Sequence, residues 1–226
     1  MTSAKPDQRA ASLLDALRSA ADPEKYPNRH YKGQGGVLGV RMGELFDIAK
    51  KHTALPLSEV ELLLAETEYE PRLAAFCVLD FQVRSPRLTD DEREARYRFY
   101  LDHHGHIDTW DMVDRAAPRV IGRYLHDRPR DPLFELAASD DPYRRRTAMT
   151  APLGFLGDGA EAVADTLRLA EALAHDRDPI VSKPVGIALK HAGAVAPAQV
   201  QAFLDRMGDA LPAPVRREAR SKLPPR

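Results

Sequence analysis

The sequence predicts an all-α protein, an α-solenoid whose stacked helical repeats line a concave face. Apolar residues recur at helical spacing almost throughout, and no run alternates apolar and polar residues as a strand would. Four similar helix openings, near residues 71, 108, 142 and 179, are separated by 37, 34 and 37 residues. A spacing near 36 with two helices per unit is typical of a solenoid, because each helix pair can bury its apolar face only against its neighbours.

Local start signals support this pattern of short helices. In "AASLLDALRSAA" the leucines at 13, 14 and 17 share one face, and "VRMGELFDIAKKH" shows the same spacing. The predicted starts are two capping boxes, Ser58 with Glu61 and Thr89 with Glu92, and three Asp-Pro pairs at 131, 141 and 178. We therefore expect ten to twelve helices.

The composition indicates one globular domain. The chain has 226 residues, of which 43% are hydrophobic, so we expect a single domain over residues 1–226 with flexible ends at 1–8 and 224–226. No stretch has the roughly 18 uninterrupted apolar residues of a membrane helix, and the N-terminus lacks the apolar core of a signal peptide. These features predict a cytoplasmic protein. Cys77, the one cysteine, lies in apolar "AAFCVLDF" and is expected to be a buried hydrophobe.

The charges are unevenly distributed along the chain. The net charge is -1, which taken alone argues against an electrostatic nucleic-acid binder. However, residues 1–114 hold 15 Lys and Arg against 20 Asp and Glu, a net charge of -5, whereas residues 115–226 hold 18 against 14, a net charge of +4. This asymmetry is compatible with a polyanionic partner without requiring one.

The segment "DTWDMVD" carries the only tryptophan, Trp110, among three aspartates. Trp110 and Asp114 are four residues apart and share a helix face, whereas Asp111 points about 100° away. Asp108 is expected to be an N-cap, and Asp111 either a solvated acid or a first-turn acid favoured by the helix dipole. A single tryptophan on a helix is most often a core residue, so a structural role for Trp110 stays open beside a functional one.

Equivalent positions in the next two repeats carry cations. Arg146 follows Pro142 by four residues, and Lys183 follows Pro179 by four. Stacked repeats place equivalent positions in one row along the same face. A concave face would therefore present an aromatic ring and a carboxylate, followed by cations from the next repeats.

Two further sequence patterns resemble a metal site and a nucleotide-binding loop, but neither is predicted to be one. "DHHGH" contains His103, His104 and His106, but adjacent histidines converge poorly on one ion and Gly105 suggests a helix end, so we predict no metal site. "KGQGGVLG" is rich in glycine, yet it lacks the lysine-hydroxyl ending of a P-loop and follows no strand. No spacing suggests a Ser-His-Asp or Cys-His nucleophile.

The chain resembles the AlkD-like family of bacterial DNA alkylation-repair glycosylases. The resemblance covers roughly residues 10–223 and is carried by "DTWDMVDRAAPRVIGRYL", "YRRRTAMTAPLGF", "DPIVSKPVGIALKHAG" and "LPAPVRREARSKL", with "GVRMGELFDIAKKH" near the N-terminus. Its most specific part is Trp-Asp-x-Val-Asp followed by Ala-Pro and a glycine. The resemblance implies a HEAT-like solenoid that holds duplex DNA and removes purines that are cationic because they are alkylated at N3 or N7.

The resemblance also implies roles for individual residues. Asp114 would stabilise the oxocarbenium forming on the sugar and position the water, and Trp110 would pack against the deoxyribose. Arg146 would grip the phosphodiester near the lesion. Further backbone contacts are expected from Lys183, Lys190, Arg145 and Arg217, and Tyr31 and Lys32 lie near an element that contacts DNA in relatives.

One position departs from the family pattern. Where the family usually has a second tryptophan, "VGIALKH" places Ile187, which keeps apolar contact with a sugar but lacks a π face. Either activity is lower, or the opened space accepts a different or bulkier lesion. Lys190 stands in place of an arginine, which keeps the charge but loses the bidentate fork.

The leading hypothesis is a monofunctional alkylpurine DNA glycosylase that needs no metal or cofactor. We expect a monomer in the bacterial cytoplasm, associated with the nucleoid, acting on duplex DNA with alkylated bases and not on membranes. One alternative is a non-catalytic HEAT-repeat protein that binds damaged or distorted DNA, which Ile187 motivates. Another is a protein-interaction solenoid, which the net charge of -1 favours and which predicts no salt-dependent DNA binding.

Overall fold

A computed structural model describes residues 8–224, and these residues form twelve α-helices and no strand. The prediction of an all-α fold with ten to twelve helices is confirmed. The chain divides into two compact units, one ending at Ala116 and the other beginning at Ala117. The expected flexible ends, 1–8 and 224–226, fall outside the described residues except for Gln8 and Pro224. None of the helices described is long and apolar enough to cross a membrane.

The first unit contains α1 to α6. Their bounds are α1 Ala10–Ser19, α2 Met42–Lys51, α3 Leu57–Leu64, α4 Tyr69–Val83, α5 Asp90–Asp102 and α6 Trp110–Ala117, the last of which ends at the division between the units. Helix α4 is the centre of this unit, since it packs against α1, α2, α3 and α5 and is buried along nearly its whole length. Cys77 lies in α4 and is fully buried, as predicted, and burial raises the pKa of its thiol to about 12.

A buried acid joins two helices of the first unit, α4 and α6. Asp80 of α4 is fully buried and pairs with Arg84 at 2.6 Å and with Arg115 of α6 at 3.0 Å. The Arg115 guanidinium also lies over the rings of Phe46 and Phe81, at 4.3 and 4.6 Å from their centroids. A buried carboxylate is tolerated only when it is paired, so Asp80 fixes the position of α6 against α4.

The glycine-rich segment between α1 and α2 is organised by a second buried acid. The carboxylate of Glu70 accepts backbone N–H bonds from Leu38 at 2.8 Å, Gly39 at 2.9 Å and Val40 at 3.3 Å. Gly39 has φ +81, and a Cβ there would lie 2.3 Å from the Cα of Pro23. The amides that might have cradled a phosphate are thus occupied by the protein's own carboxylate, which agrees with the prediction that this segment is no P-loop.

The second unit contains α7 to α12. Their bounds are α7 Asp131–Ala137, α8 Pro142–Thr150, α9 Ala160–Ala172, α10 Pro179–Val195, α11 Pro197–Met207 and α12 Ala213–Arg220. Helix α10 packs against α8, α9, α11 and α12. Gly186 lets α12 approach closely, because a Cβ there would lie 3.1 Å from the Cβ of Glu218.

The predicted helix starts are mostly found. The capping box of Thr89 and Glu92 is present, and Asp141 and Asp178 cap α8 and α10 through backbone N–H bonds of 2.8 and 2.9 Å. The capping box predicted for Ser58 and Glu61 is wrong, because α3 begins at Leu57 and has no side-chain cap. The four repeated openings begin α4, α6, α8 and α10, at residues 69, 110, 142 and 179.

Candidate functional site

Trp110 and Asp114 lie one turn apart at the start of α6. Trp110 is 42% exposed, whereas Met112 and Val113 on the same helix are fully buried. Leaving about 100 Å² of tryptophan in water forgoes roughly 2–3 kcal/mol of burial energy. Asp114 is partly exposed. Trp110 is therefore not a core residue, and the helix presents an aromatic ring and a carboxylate at the surface of the first unit.

The carboxylate of Asp111 lies on the buried side of α6. It lies in the first turn of α6, as expected, but it is only 9% exposed and is not solvated. Its Oδ2 atom accepts a hydrogen bond from the hydroxyl of Tyr69 and lies 3.0 Å from Nε2 of His30. The helical rotation that turns Asp111 away from Trp110 turns it toward these two side chains. Of the two predicted alternatives, the first-turn acid is confirmed and the solvated acid is not.

Four rings, those of His30, Tyr31, Tyr69 and Trp110, form an aromatic cluster. The imidazole of His30 lies 5.9 Å from the Trp110 ring and 5.5 Å from the Tyr69 ring, measured between centroids. The Tyr31 ring stacks on Tyr69 at 4.8 Å. Trp110 is thus the exposed end of an aromatic cluster, and His30 is its immediate neighbour.

Tyr31 and Asp108 have structural partners within the first unit. The Tyr31 hydroxyl donates to Asp108 at 2.8 Å and accepts from Arg72 at 2.6 Å and from the Gly35 amide at 3.0 Å. Burial and the bond to Asp108 raise the pKa of Tyr31. Tyr31 is buried, so its predicted contact with DNA would require this cluster to open, whereas Lys32 beside it is exposed. Asp108 lies two residues before α6 and also pairs with Arg72 at 3.0 Å, which corrects its assignment as a simple helix cap.

Arg146 lies on α8 in the second unit and is only 5% exposed. One of its terminal nitrogens donates to the carbonyl oxygen of Ile180 at 2.7 Å. This bond orients the guanidinium and uses one of its five N–H donors. The phosphate role of Arg146 stays a prediction, and it requires the guanidinium to reach the DNA from a largely buried position.

Two of the predicted DNA-binding cations are held by acids. Arg145 lies 2.8 Å from Asp176 and also donates to the carbonyl oxygens of Ser139 and Asp140. Lys190 donates to Glu218 at 2.8 Å, and this hydrogen bond lowers the pKa of the Glu218 carboxyl. Their contacts with DNA stay predictions, and each would compete with an existing ion pair.

Three other predicted DNA-binding residues come together. Lys183 and Ile187 of α10 and Arg217 of α12 line one open cavity of about 350 Å³, together with Gly186 and Val215. Lys183 and Arg217 are exposed and Ile187 is partly exposed. The cavity thus has apolar walls, two cationic side chains and the carboxylate of Glu218.

The histidines considered as metal ligands have structural contacts within the first unit. His104 is buried, and Nδ1 of His103 lies 2.9 Å from the carbonyl oxygen of Phe99. Within residues 8–224, no group of three or more His, Cys, Asp or Glu side chains could hold a metal ion.

The sequence reasoning missed His30. No local signal could have found it, because its partner Asp111 is 81 residues away and neither residue lies in a motif that names the other. The only available hint was its position next to Tyr31, where a DNA contact was predicted.

Comparison with known protein families matches residues 13–223 to the family of DNA alkylation repair enzymes. Among solved structures, the chain is similar to a predicted DNA alkylation repair enzyme from Enterococcus faecalis, with a TM-score of 0.68 and 18% sequence identity. The alignment covers 90% of this chain and 96% of that one, so the two share a fold. A search of curated protein sequences gives no match.

Proposed function

Because this chain belongs to the DNA alkylation repair enzyme family, we propose that it is a DNA glycosylase that removes purines made cationic by alkylation at N3 or N7 from duplex DNA. The observation that carries the proposal is the exposed Trp110, one helical turn before the partly exposed Asp114. An exposed aromatic ring beside a carboxylate suits a substrate on which positive charge develops.

The proposed reaction is hydrolysis of the N-glycosidic bond. The bond between C1′ and the purine nitrogen breaks, and its electron pair neutralises the charge on the departing base. The base therefore needs no general acid. Positive charge then builds on the sugar, where the Asp114 carboxylate stabilises it by Coulomb attraction. Asp114 also accepts a hydrogen bond from the water whose oxygen joins C1′, and the released proton passes to the carboxylate or to solvent.

Trp110 is proposed to contact the deoxyribose of the damaged nucleotide. The face of an indole attracts a nearby cation, and this attraction strengthens as charge moves onto the deoxyribose. An interaction that binds substrate and transition state equally would not raise the rate of the chemical step. The attraction between the indole and the sugar is stronger in the transition state, so it lowers the barrier. Such a site needs only to approach the DNA backbone, which fits a surface ring better than a deep pocket.

The cations of the second unit are assigned to the DNA backbone. Exposed Lys183 and Arg217 are the best placed, since within residues 8–224 neither forms an ion pair of the kind that holds Arg145 and Lys190. Contacts of this kind are independent of sequence and weaken with salt. We propose that the protein does this work as a monomer on nucleoid DNA in the bacterial cytoplasm.

The test is release of N7-methylguanine or N3-methyladenine from methylated duplex DNA, detected by chromatography of the freed bases. The expected result is release by the wild-type protein at a rate above that of spontaneous loss. Normal DNA binding with neither base released would refute the glycosylase proposal while leaving a role in DNA binding.

A second candidate is a non-catalytic protein that binds damaged or distorted DNA. Ile187 favours it, because the position of a second aromatic ring is taken by an aliphatic side chain at an open cavity. A pure binder would show equal affinity with and without the Asp114 carboxylate, or higher affinity without it, since a negative charge near phosphates is unfavourable.

A further inference from the structure

His30 lies at the surface beside Trp110, in the segment between α1 and α2. Its side chain is 33% exposed, and the two ring planes are inclined by 59°. Both rings are accessible at the same edge of the aromatic cluster. A ligand that packs on Trp110 therefore passes within reach of the imidazole.

The contacts of His30 determine which ring nitrogen carries hydrogen. Burial and the Asp111 charge raise the pKa of Tyr69, so its phenol stays protonated and donates to Oδ2 of Asp111. Nε2 of His30 lies 3.0 Å from that same oxygen and 3.0 Å from the Tyr69 hydroxyl oxygen. A nitrogen lone pair facing a carboxylate oxygen would be repulsive, so Nε2 is the donor.

The other ring nitrogen is left for a ligand. Among residues 8–224, Nδ1 of His30 has no hydrogen-bond partner, and Asp111 is the one charged group within hydrogen-bond distance of the imidazole. The remaining charged groups of α4 near this cluster are engaged elsewhere, Glu70 by backbone amides and Arg72 by Asp108. A protonated His30 would thus be held by Asp111 and would offer one free N–H.

Stability alone does not account for this arrangement. Oδ1 of Asp111 is buried and accepts no hydrogen bond from any residue between 8 and 224. A buried acceptor left unsatisfied costs about 1–3 kcal/mol, and an apolar residue in this place would avoid that cost. The benefit of Asp111 lies in what it does to His30, which is to orient the ring by accepting from Nε2.

We propose that His30 is a further substrate-binding residue that donates its Nδ1–H to a phosphate oxygen of the nucleotide held against Trp110. A ring whose one hydrogen is on Nε2 has none on Nδ1, so donation to the phosphate requires that such a ring take up one proton from solvent. The imidazolium then bridges two anions, the phosphate at Nδ1 and Asp111 at Nε2. This inference rests on the proposed function, because it takes duplex DNA as the ligand.

The experiment measures proton uptake on binding. Calorimetric titration of the full chain with a short undamaged duplex, in two buffers of different ionisation enthalpy near pH 7.5, gives the number of protons taken up. The wild type is expected to take up a substantial fraction of one proton. His30→Gln should remove this uptake, lower affinity about tenfold, and reduce the slope of log affinity against log salt by about one.

Two further variants make the result specific. His126→Ala removes another surface histidine, 46% exposed in its side chain, and should leave uptake and affinity unchanged. Asp111→Asn keeps the shape of the anchor without its charge and should lower the uptake while His30 is still present. Far-ultraviolet circular dichroism confirms that each variant is folded.

The outcomes separate the two proposals. If the wild type does not bind duplex DNA, the proposed function fails and this inference fails with it. If the wild type binds without proton uptake, or if His30→Gln binds with the same affinity and salt slope, His30 is not a phosphate ligand and the glycosylase proposal is unaffected.

Discussion

Nε of Arg115 lies 3.0 Å from Oδ2 of Asp80, an acid with no exposed surface, and this ion pair holds α6 against α4. Arg115 follows Asp114 directly in sequence. The residue proposed for catalysis and the residue that fixes its helix are therefore neighbours with separable roles.

Arg115→Ala is expected to destabilise the protein by about 3 kcal/mol, because it leaves the buried Asp80 with one cation fewer and removes the stacking on Phe46 and Phe81. Equilibrium unfolding in urea measures the change. Arg87→Ala, which removes an exposed arginine, should cost less than about 0.5 kcal/mol. Equal losses in the two variants would contradict the structural role of the pair.

Asp114→Asn should reduce base release from methylated duplex DNA by at least about 100-fold while DNA affinity is kept or increased, because the amide cannot stabilise positive charge on the sugar. Single-turnover release and fluorescence anisotropy measure the two quantities. Asp47→Asn removes one exposed negative charge of the same unit and serves as the electrostatic control. Unchanged release in Asp114→Asn would favour the non-catalytic candidate.

Trp110→Ala should lower base release about tenfold or more with little change in thermal stability, because so much of the ring is already in water. Trp110→Phe should retain part of the activity, since it keeps a smaller π face. Leu62→Ala removes another exposed large hydrophobic residue and is expected to change neither quantity. A large fall in melting temperature for Trp110→Ala would assign the tryptophan to packing instead.

Ile187→Trp is expected to raise the release of small methylated purines several-fold, because it supplies an aromatic face where the cavity now has an aliphatic wall. The partly exposed position and the open cavity leave room for the larger ring. Ile180→Trp, on the same helix, is the matched control. If Ile187→Trp lowers release of small bases, the open space is needed by the substrate and bulkier adducts become the lesions to assay.

Glu218→Gln should increase DNA affinity, because it frees Lys190 from its ion pair and removes a negative charge near Lys183 and Arg217. The salt dependence of binding should steepen by up to about one in the slope, as expected for one more phosphate contact. Glu135→Gln, on α7, is a control that changes the net charge equally. If neither variant shows salt-dependent binding, the interaction-solenoid hypothesis gains support.

Much of the fold followed from periodicity. The apolar spacing and the Asp-Pro pairs predicted the helices and most of their starts, since both are local properties of the chain. The four-residue spacing also placed Trp110 and Asp114 together, and the structure shows the tryptophan at the surface. The exposure of the Trp110 side chain was not predictable, because a single tryptophan on a helix is most often a core residue.

The partners of polar side chains could not be predicted. Helical geometry indicated that Asp111 points away from Trp110, but it contains no information about what lies in that direction. The answer, His30 and Tyr69, depends on tertiary packing between residues 81 and 42 positions apart. The hydroxyl partners of Tyr31 could not be predicted for the same reason, since Asp108 and Arg72 lie 77 and 41 residues away in sequence.

The carboxylate of Glu70 has a consequence for how the first unit unfolds. The amides of Leu38 and Gly39 belong to a segment with little regular structure, yet their hydrogens are protected only while α4 is in place. Loss of α4 releases them together, and no local fluctuation of the glycine-rich segment alone can satisfy Glu70 in its buried position. The end of this segment therefore belongs to the same cooperative unit as the centre of the core, and the amide hydrogens of Leu38 and Gly39 should exchange with solvent as slowly as those of α4.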